Sequence, residues 1–324
     1  MATAANALET YDSPTIREDL SDAENLITPT ETPFISMIAG KITAKNTYHE
    51  WPMVELAAVN GSNRVAEGED APGVDTPTLA VRRGNYTQIS DKVVKVSDTS
   101  QRVDGAANVE KLSKQISYKL KELKRDKETM LLSTNAAVPG AAVGATTREA
   151  AGLMCFLITN ADYPTDGAVP TLSGTTSGYP DAAPTNGTDR DLTEDLFNSV
   201  IQSIWTEGGE PKYAIVSPTN KRVISSTFDG YATKYKQADD KKLINAIDVY
   251  ESDFGQVQIV PNRFSPADDV IMIDPEYVKV AYLQPTRQMP LARTGHTENR
   301  LIQCEYTLHV GNEAAHGAVA STNG

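Results

Sequence analysis

The chain has little with which to build covalent or metal chemistry. Two cysteines, Cys155 and Cys304, are too few for a disulfide framework, and nothing in the sequence suggests an oxidising compartment. Histidine is scarce as well: His49, His296, His309 and His316 are the whole set. Aromatic residues make up 6% of the chain against 40% hydrophobic residues, so the core is expected to be modest and aliphatic. No stretch approaches the run of about 18 apolar residues that a membrane span requires, and no membrane partner is expected. Residues 1–20 carry Asp12, Arg17, Glu18 and Asp19 without an apolar run, so no signal peptide is expected there and the protein should stay soluble in a cytoplasm. The N-x-[ST] sequons at Asn60, Asn85 and Asn186 then lack a glycosylating route and read as polar turn residues.

Catalytic signatures are missing too. The nucleophile elbow, the dinucleotide and P-loop glycine patterns and H-E-x-x-H are all absent. The best metal or nucleophile candidates are His296, Cys304, His309 and His316. Strand alternation separates them, because Cys304 and His309 differ by an odd number and point to opposite faces. Cys304 is expected in the core, His309 on the surface and His316 in a tail without a fixed partner. The acidic group Glu67, Glu69, Asp70 and Asp75 lacks EF-hand spacing and reads as a solvated tip. Asp239/Asp240 and Asp268/Asp269 are adjacent turn residues and not convergent acid–base pairs. No cofactor, metal or catalytic residue is expected. The net charge of −13 argues against tight phosphate binding, yet it suits a surface that encloses nucleic acid without gripping it.

What is present starts with residues 108–132, the longest run free of both Gly and Pro. Val109, Leu112, Ile116, Leu120, Leu123 and Met130 step at helical spacing along one stripe. Such a helix would be roughly 37 Å long. Its other faces carry Lys111, Lys114, Lys119, Lys121, Lys124, Arg125 and Lys127 against Glu110, Glu122, Asp126 and Glu128. Asn108 or Asp104 is expected to cap it.

Residues 1–40 set seven acids against the single base Arg17 and are broken by Pro14, Pro29 and Pro33, which predicts an extended arm. Residues 44–58 and 79–97 are β-like and flank a stretch dense in Gly, Pro, Asn and Asp. They read as one hairpin with arms of about 15 residues, near 50 Å long, which needs outside support. Residues 152–160 read as a buried strand, and 161–190 as a long loop. A helix is expected over 192–207, capped by Asp191, then a strand at 212–217 and a helix from Pro218 to about Phe228. Strands follow at 257–261, 270–274 and 277–283, and 302–310 alternates with a period of two. The whole is an α+β chain with a small mixed-sheet unit.

The order of these parts resembles the major capsid proteins of tailed bacteriophages, in the branch with a short N-terminal arm and no fused scaffolding domain. The likeness rests on Thr32-Pro33-Phe34-Ile35-Ser36 in the arm, His49-Glu50-Trp51 leading into the hairpin and Ala66-Glu67-Gly68 at its tip. It continues through Gly152-Leu153 with Ile158-Thr159-Asn160 after the helix and Tyr306-Thr307-Leu308 near the end. It spans about residues 28–320. The resemblance implies an N-terminal arm (1–40), an extended β-hairpin loop (41–100) and a peripheral domain (101–190) with the spine helix 108–132. An axial domain (191–283) with a mixed sheet and a return to the peripheral domain (284–324) follow.

It implies a structural protein that self-assembles as hexamers and pentamers of an icosahedral shell around double-stranded DNA. Portal, scaffolding and decoration proteins are further expected partners, and the expected location is the virion, assembled in a host cytoplasm. Assembly contacts are expected at the loop tip through Arg64, Glu67, Glu69 and Asp70. On the spine they are expected through Lys114, Lys121, Lys124 and Arg125. The rival readings are an encapsulin-like nanocompartment shell of the same fold and a monomeric α/β enzyme.

Overall fold

The computed structural model describes residues 28–38, 40–68, 70, 76–103, 109–141, 146–174, 177–228 and 248–323. The arm up to residue 27, the expected caps Asp104 and Asn108, the tip acids Glu69 and Asp75, and Asp239/Asp240 lie outside these residues.

The first part of the chain supplies α1 (Pro33–Met37), β1 (Lys41–Thr43), β2 (Tyr48–Met53), β3 (Val81–Tyr86), β4 (Gln88–Ser97) and α2 (Asp98–Arg102). The spine follows as α3 (Leu112–Leu131), a 20-residue helix about 30 Å long. Its N-terminal residue Lys111 provides no side-chain cap. Instead Leu112 N donates to Gln101 Oε1 at 3.2 Å and Lys111 Nζ donates to the Gln101 carbonyl at 2.8 Å, so α2 closes the start of the spine.

Beyond the spine come β5 (Ala161–Asp162), β6 (Thr171–Leu172), β7 (Pro180–Ala182) and β8 (Arg190–Asp191). Then follow α4 (Glu194–Thr206), β9 (Tyr213–Val216), α5 (Pro218–Thr227), β10 (Val249–Ser252), β11 (Gly255–Pro261) and β12 (Val270–Ile273). The chain closes with β13 (Val278–Pro290), β14 (Thr297–Val310), β15 (Gly317–Val319) and β16 (Thr322–Asn323).

Two sheets organise the molecule. One has the order β1-β13-β14-β4, and α3 packs across its β4 and β14 strands. Leu123, Met130 and Leu131 of α3 join Val94, Val96, Ile302, Tyr306 and Leu308 in one core. The other sheet, β10-β11-β9-β12-β15-β5, is mixed and is packed by α4 and α5 around Phe197, Ile201, Ile204 and Ile224. β15 and β5 come from outside residues 191–283, so the C-terminal tail completes the axial sheet.

The structure departs from the expected hairpin. β2 pairs with β3 only from Tyr48↔Tyr86 to Met53↔Val81. After Thr87, β4 leaves that ribbon and pairs antiparallel with β14 from Thr297↔Ser97 to Tyr306↔Gln88. The apolar face of β4, Val94 and Val96, finds under α3 a burial that a free ribbon lacks.

Other differences have equally local causes. Residues 152–160 hold a 3-10 turn at Leu153–Phe156 in place of a strand, with all four side chains buried. Thr193 caps α4 by accepting from Leu196 N at 3.3 Å, because the helix begins at Glu194 and leaves Asp191 outside it in β8. In the 161–190 excursion, Asp166 accepts from Thr188 N and Oγ1 at 2.9 and 2.6 Å, and β6 pairs with β7, so the loop is tied down. Asn85 is a fully buried bridge and no turn: its amide donates to the Ala151 and Leu308 carbonyls and its Oδ1 accepts from Ala151 N.

Along the spine, Val109 and Leu120 of the expected stripe are 36% and 42% exposed, while Lys127 and Glu128 are buried. The fully buried positions begin at Leu123, so only the second half of α3 runs over the core, and Leu112 and Ile116 are partly buried ahead of it.

Candidate assembly surfaces

The loop tip is exposed. The chain between β2 and β3 turns at Asn60, whose Oδ1 accepts from Ser62 N at 3.0 Å and whose carbonyl accepts from Asn63 N at 3.3 Å. Arg64, Glu67 and Asp70 are exposed there. So are five large apolar side chains: Val54 (64%), Leu56 (81%), Val59 (99%), Val65 (68%) and Leu79 (77%). Scattered single exposures are ordinary, but five on one excursion mark a surface made to be covered.

The spine residues fall on two faces. Lys121 and Arg125 line a groove of about 340 Å³ with Tyr118, Glu122 and Thr30 of the arm. Arg125 also lies with Cζ 5.8 Å from the Phe264 ring, so part of its charge serves the subunit itself. Lys124 is exposed on another face, and Lys114 is half-buried. The structure therefore brings Lys121 and Arg125 together and leaves Lys124 apart from them.

Three buried polar groups escaped the sequence reading. Glu128 is fully buried, and its carboxylate accepts from Phe34 N (2.7 Å), Ile35 N (2.9 Å) and Asn262 Nδ2 (2.8 Å). It thereby joins the arm, the spine and the turn after β11. Burial pushes its carboxyl upward, against the pull of those three donors. Lys127 is 8% exposed beside two tyrosine rings. His316, expected to lack a partner, is fully buried and its Nδ1 accepts from Asp274 N at 3.1 Å. The only signal in the sequence was the seven-residue step from Leu123 to Met130, where the stripe passes through Lys127.

His309, expected on the surface, is half-buried. Its Nδ1 lies 3.1 Å from His49 Nε2, and its ring is 4.4 Å from that of Trp51, so the root of the loop sits on β14. Burial, with His49 and Lys279 nearby, pushes its pKa down to about 4. His316 is pushed down to about 3 by burial alone. The unfolded chain thus takes up protons near pH 6.5 that the folded chain refuses, and stability is lost as pH falls from 6.5 toward those values. Buried Asp269, pushed up to about 6, acts in the opposite sense between its raised value and 3.8. Melting curves of the His309→Gln variant at about pH 7.5 and about pH 5 should show an acid loss smaller than the parent's by up to about 2 kcal/mol. An unchanged slope contradicts the burial argument.

The enzyme reading finds no support in the geometry. His296 is exposed beside Asp98, Cys304 is buried against the Ser90 carbonyl, His309 pairs with His49 and His316 with the Asp274 backbone. Among the described residues no group of three or more His, Cys, Asp or Glu side chains could hold a metal ion.

Known proteins share this architecture. The family model described as SU10 major capsid protein matches residues 2–323. A major capsid protein of Escherichia phage Phieco32 is 28% identical over 329 residues, covering 93% of this chain and 92% of its own length. The cyanophage A-1(L) capsid asymmetric unit matches with a TM-score of 0.66 at 12% identity, over 97% of this chain and 98% of that one. An encapsulin complex from Synechococcus elongatus matches with a TM-score of 0.57 at 10% identity, over 98% and 96%. Likenesses this remote in sequence show the fold alone: the tailed-phage capsid fold. The family model runs through the arm, loop, spine and axial sheet alike, and the chain belongs to the SU10 major capsid protein family.

Proposed function

We propose that this phage capsid protein closes into an icosahedral head of hexamers and pentamers around double-stranded DNA, each loop lying over a neighbouring subunit. The role is structural and not enzymatic. The observation that carries the loop's part is the exposure of Val54, Leu56, Val59, Val65 and Leu79 on one excursion. Buried under a neighbour, each would contribute roughly 1.5–3 kcal/mol to association. Weak contacts repeated around a shell close it, while an isolated subunit gains none of them and stays free. Arg64, Glu67, Glu69 and Asp70 at the tip, and Lys121 with Arg125 on the spine, supply the polar rim of such contacts; Lys114 and Lys124 serve the other spine faces.

Acidic surface facing the packaged DNA limits adhesion, in keeping with the net charge of −13. Assembly takes place in the host cytoplasm on this reading, with portal, scaffolding and decoration proteins as further partners. One likeness bears on the last of these: a solved Phage G structure holds major capsid proteins together with decoration proteins. The encapsulin-like reading shares the fold and differs in what the shell encloses, so DNA-filled particles separate the two.

Replacing residues 56–78 by a short Gly-Ser turn should leave a folded, soluble subunit and abolish closed shells, as read by circular dichroism and electron microscopy. Normal shells from that variant would overturn the intersubunit role of the loop.

A further inference from the structure

Lys127 is a buried ammonium without an anion. It is 8% exposed, with its side chain set against Tyr282 of β13 and Tyr306 of β14. Its Nζ lies 5.4 Å from the Tyr282 ring centre and 5.8 Å from that of Tyr306. No hydrogen bond or ion pair reaches it among the described residues, and the charged groups that bear on it are Lys41 and Lys124, both of its own sign, beside the Cys304 thiol. Burial accordingly pushes its pKa down. Cation–π contact offsets only part of the cost of burying an ammonium; a paired anion is the usual complement.

The side chain is not sealed in. Lys127 lines an open cleft of about 460 Å³ with Lys41 and Thr43 of β1 and Tyr282, Pro285 and Thr286 of β13. The cleft opens where β13 loses register with β14, between Tyr282 and Gln284 and again before Arg287. Lys41 Nζ stands 6.0 Å from the centre of the Tyr282 ring. Two lysines and the hydroxyl-bearing Thr43, Tyr282 and Thr286 thus line one opening, in a chain with thirteen more acids than bases. Charge of that kind is matched by a carboxylate.

We propose that this cleft receives a carboxylate from the loop tip of a second copy of the chain, Glu67 or Asp70. The proposal rests on the reading that the loop lies over a neighbour. Both acids are exposed, and neither forms an ion pair among the described residues. The ammonium groups of Lys127 and Lys41 bind the incoming carboxylate, and the tyrosine rings exclude water from the pair.

The test uses the full-length chain under shell-forming conditions. Lys127→Met removes the charge while keeping most of the volume, so the unassembled subunit should melt no lower than the parent. Its critical concentration for shell formation should rise about tenfold. The Glu67→Gln/Asp70→Asn double variant should raise it similarly, and combining all three should add little more. Carbodiimide treatment of parent shells, followed by mass spectrometry, should join Lys41 or Lys127 to Glu67 or Asp70, a readout that needs no variant to fold. Parental assembly by Lys127→Met, fully additive effects, or absence of that cross-link overturns the proposal. Coupling of Lys127 to arm acids such as Asp19 and Asp22 overturns it as well, by naming the arm as occupant. These outcomes differ from failure of the underlying reading, which shows instead as normal shells from the loop replacement.

Discussion

Glu128→Ala should destabilise the subunit by roughly 3–5 kcal/mol, a large part of a stability that for a domain totals about 5–15 kcal/mol. The carboxylate is fully buried and takes three donors at 2.7–2.9 Å. Alanine leaves the Phe34 and Ile35 amides and the Asn262 side chain without an acceptor in a place that water does not reach, and each buried orphan costs about 1–3 kcal/mol. The damage should be uneven. Amide exchange at Phe34, Ile35 and Ile38 should accelerate first, because Glu128 is what holds the start of α1 against the spine. Glu122→Ala is the control. Glu122 sits six residues earlier in the sequence, its partner is the similarly exposed Lys119, and its loss should cost less than about 1 kcal/mol. Equal melting of the two variants would contradict the role given to Glu128.

Gly152→Ala should cost roughly 3 kcal/mol or more, through contact alone. The backbone there, φ −79° and ψ 171°, suits any residue, so no conformational strain is involved. A Cβ would instead lie 2.1 Å from the Ser133 carbonyl oxygen and 2.6 Å from Ser133 Oγ. The obstacle is backbone immediately after the spine, fixed by Ser133 N to the Met130 carbonyl (3.1 Å) and by Gly152 N to the Asn135 carbonyl (3.0 Å). Relief requires prising the buried Leu153–Phe156 turn away from the end of α3, which undoes close packing in the main core. Gly61→Ala, with open space around it, should be close to neutral. A melting temperature for Gly152→Ala equal to that of the parent would mean that the turn and the spine do not meet as described.

The order of elements was legible because it rests on local signals. The strand over Ile302–Val310 and the Pro218 start of α5 behind Ser217 appear where the pattern puts them, although Thr307 on the polar face is buried, and the Gly- and Pro-free spine begins at Leu112, four residues later than its pattern. Partners were less legible. The 79–97 segment is β-structured, but its sequence holds no record that Thr87 ends one pairing and Gln88 begins another with β14. Likewise β13, expected to stop at 283, runs on past Pro285 to Pro290, with two register shifts against β14 around Pro285.

The candidate contacts divide in the same way. The loop was visible from its composition as an excursion, and its residues Arg64, Glu67 and Asp70 are exposed. Glu128, Lys127 and His316 were not visible, because a charged residue in a helix or a histidine in a small-residue tail ordinarily faces water. The tail itself misleads for a physical reason. Its small residues allow close approach: a Cβ on Gly317 would lie 2.6 Å from Val200 Cγ1, and residues 315–322 are buried throughout. Small side chains there mark tight packing and not looseness.

The central claim is that this subunit completes itself only in a shell, with its loop covered by a neighbour. Electron cryomicroscopy of the purified full-length protein under assembly conditions tests it most directly. The account predicts closed icosahedral particles in which Val54, Leu56, Val59, Val65 and Leu79 lie buried on an adjacent subunit. A monodisperse 35.0 kDa monomer under every condition tried, or closed shells whose loops stand free in solvent, would contradict it.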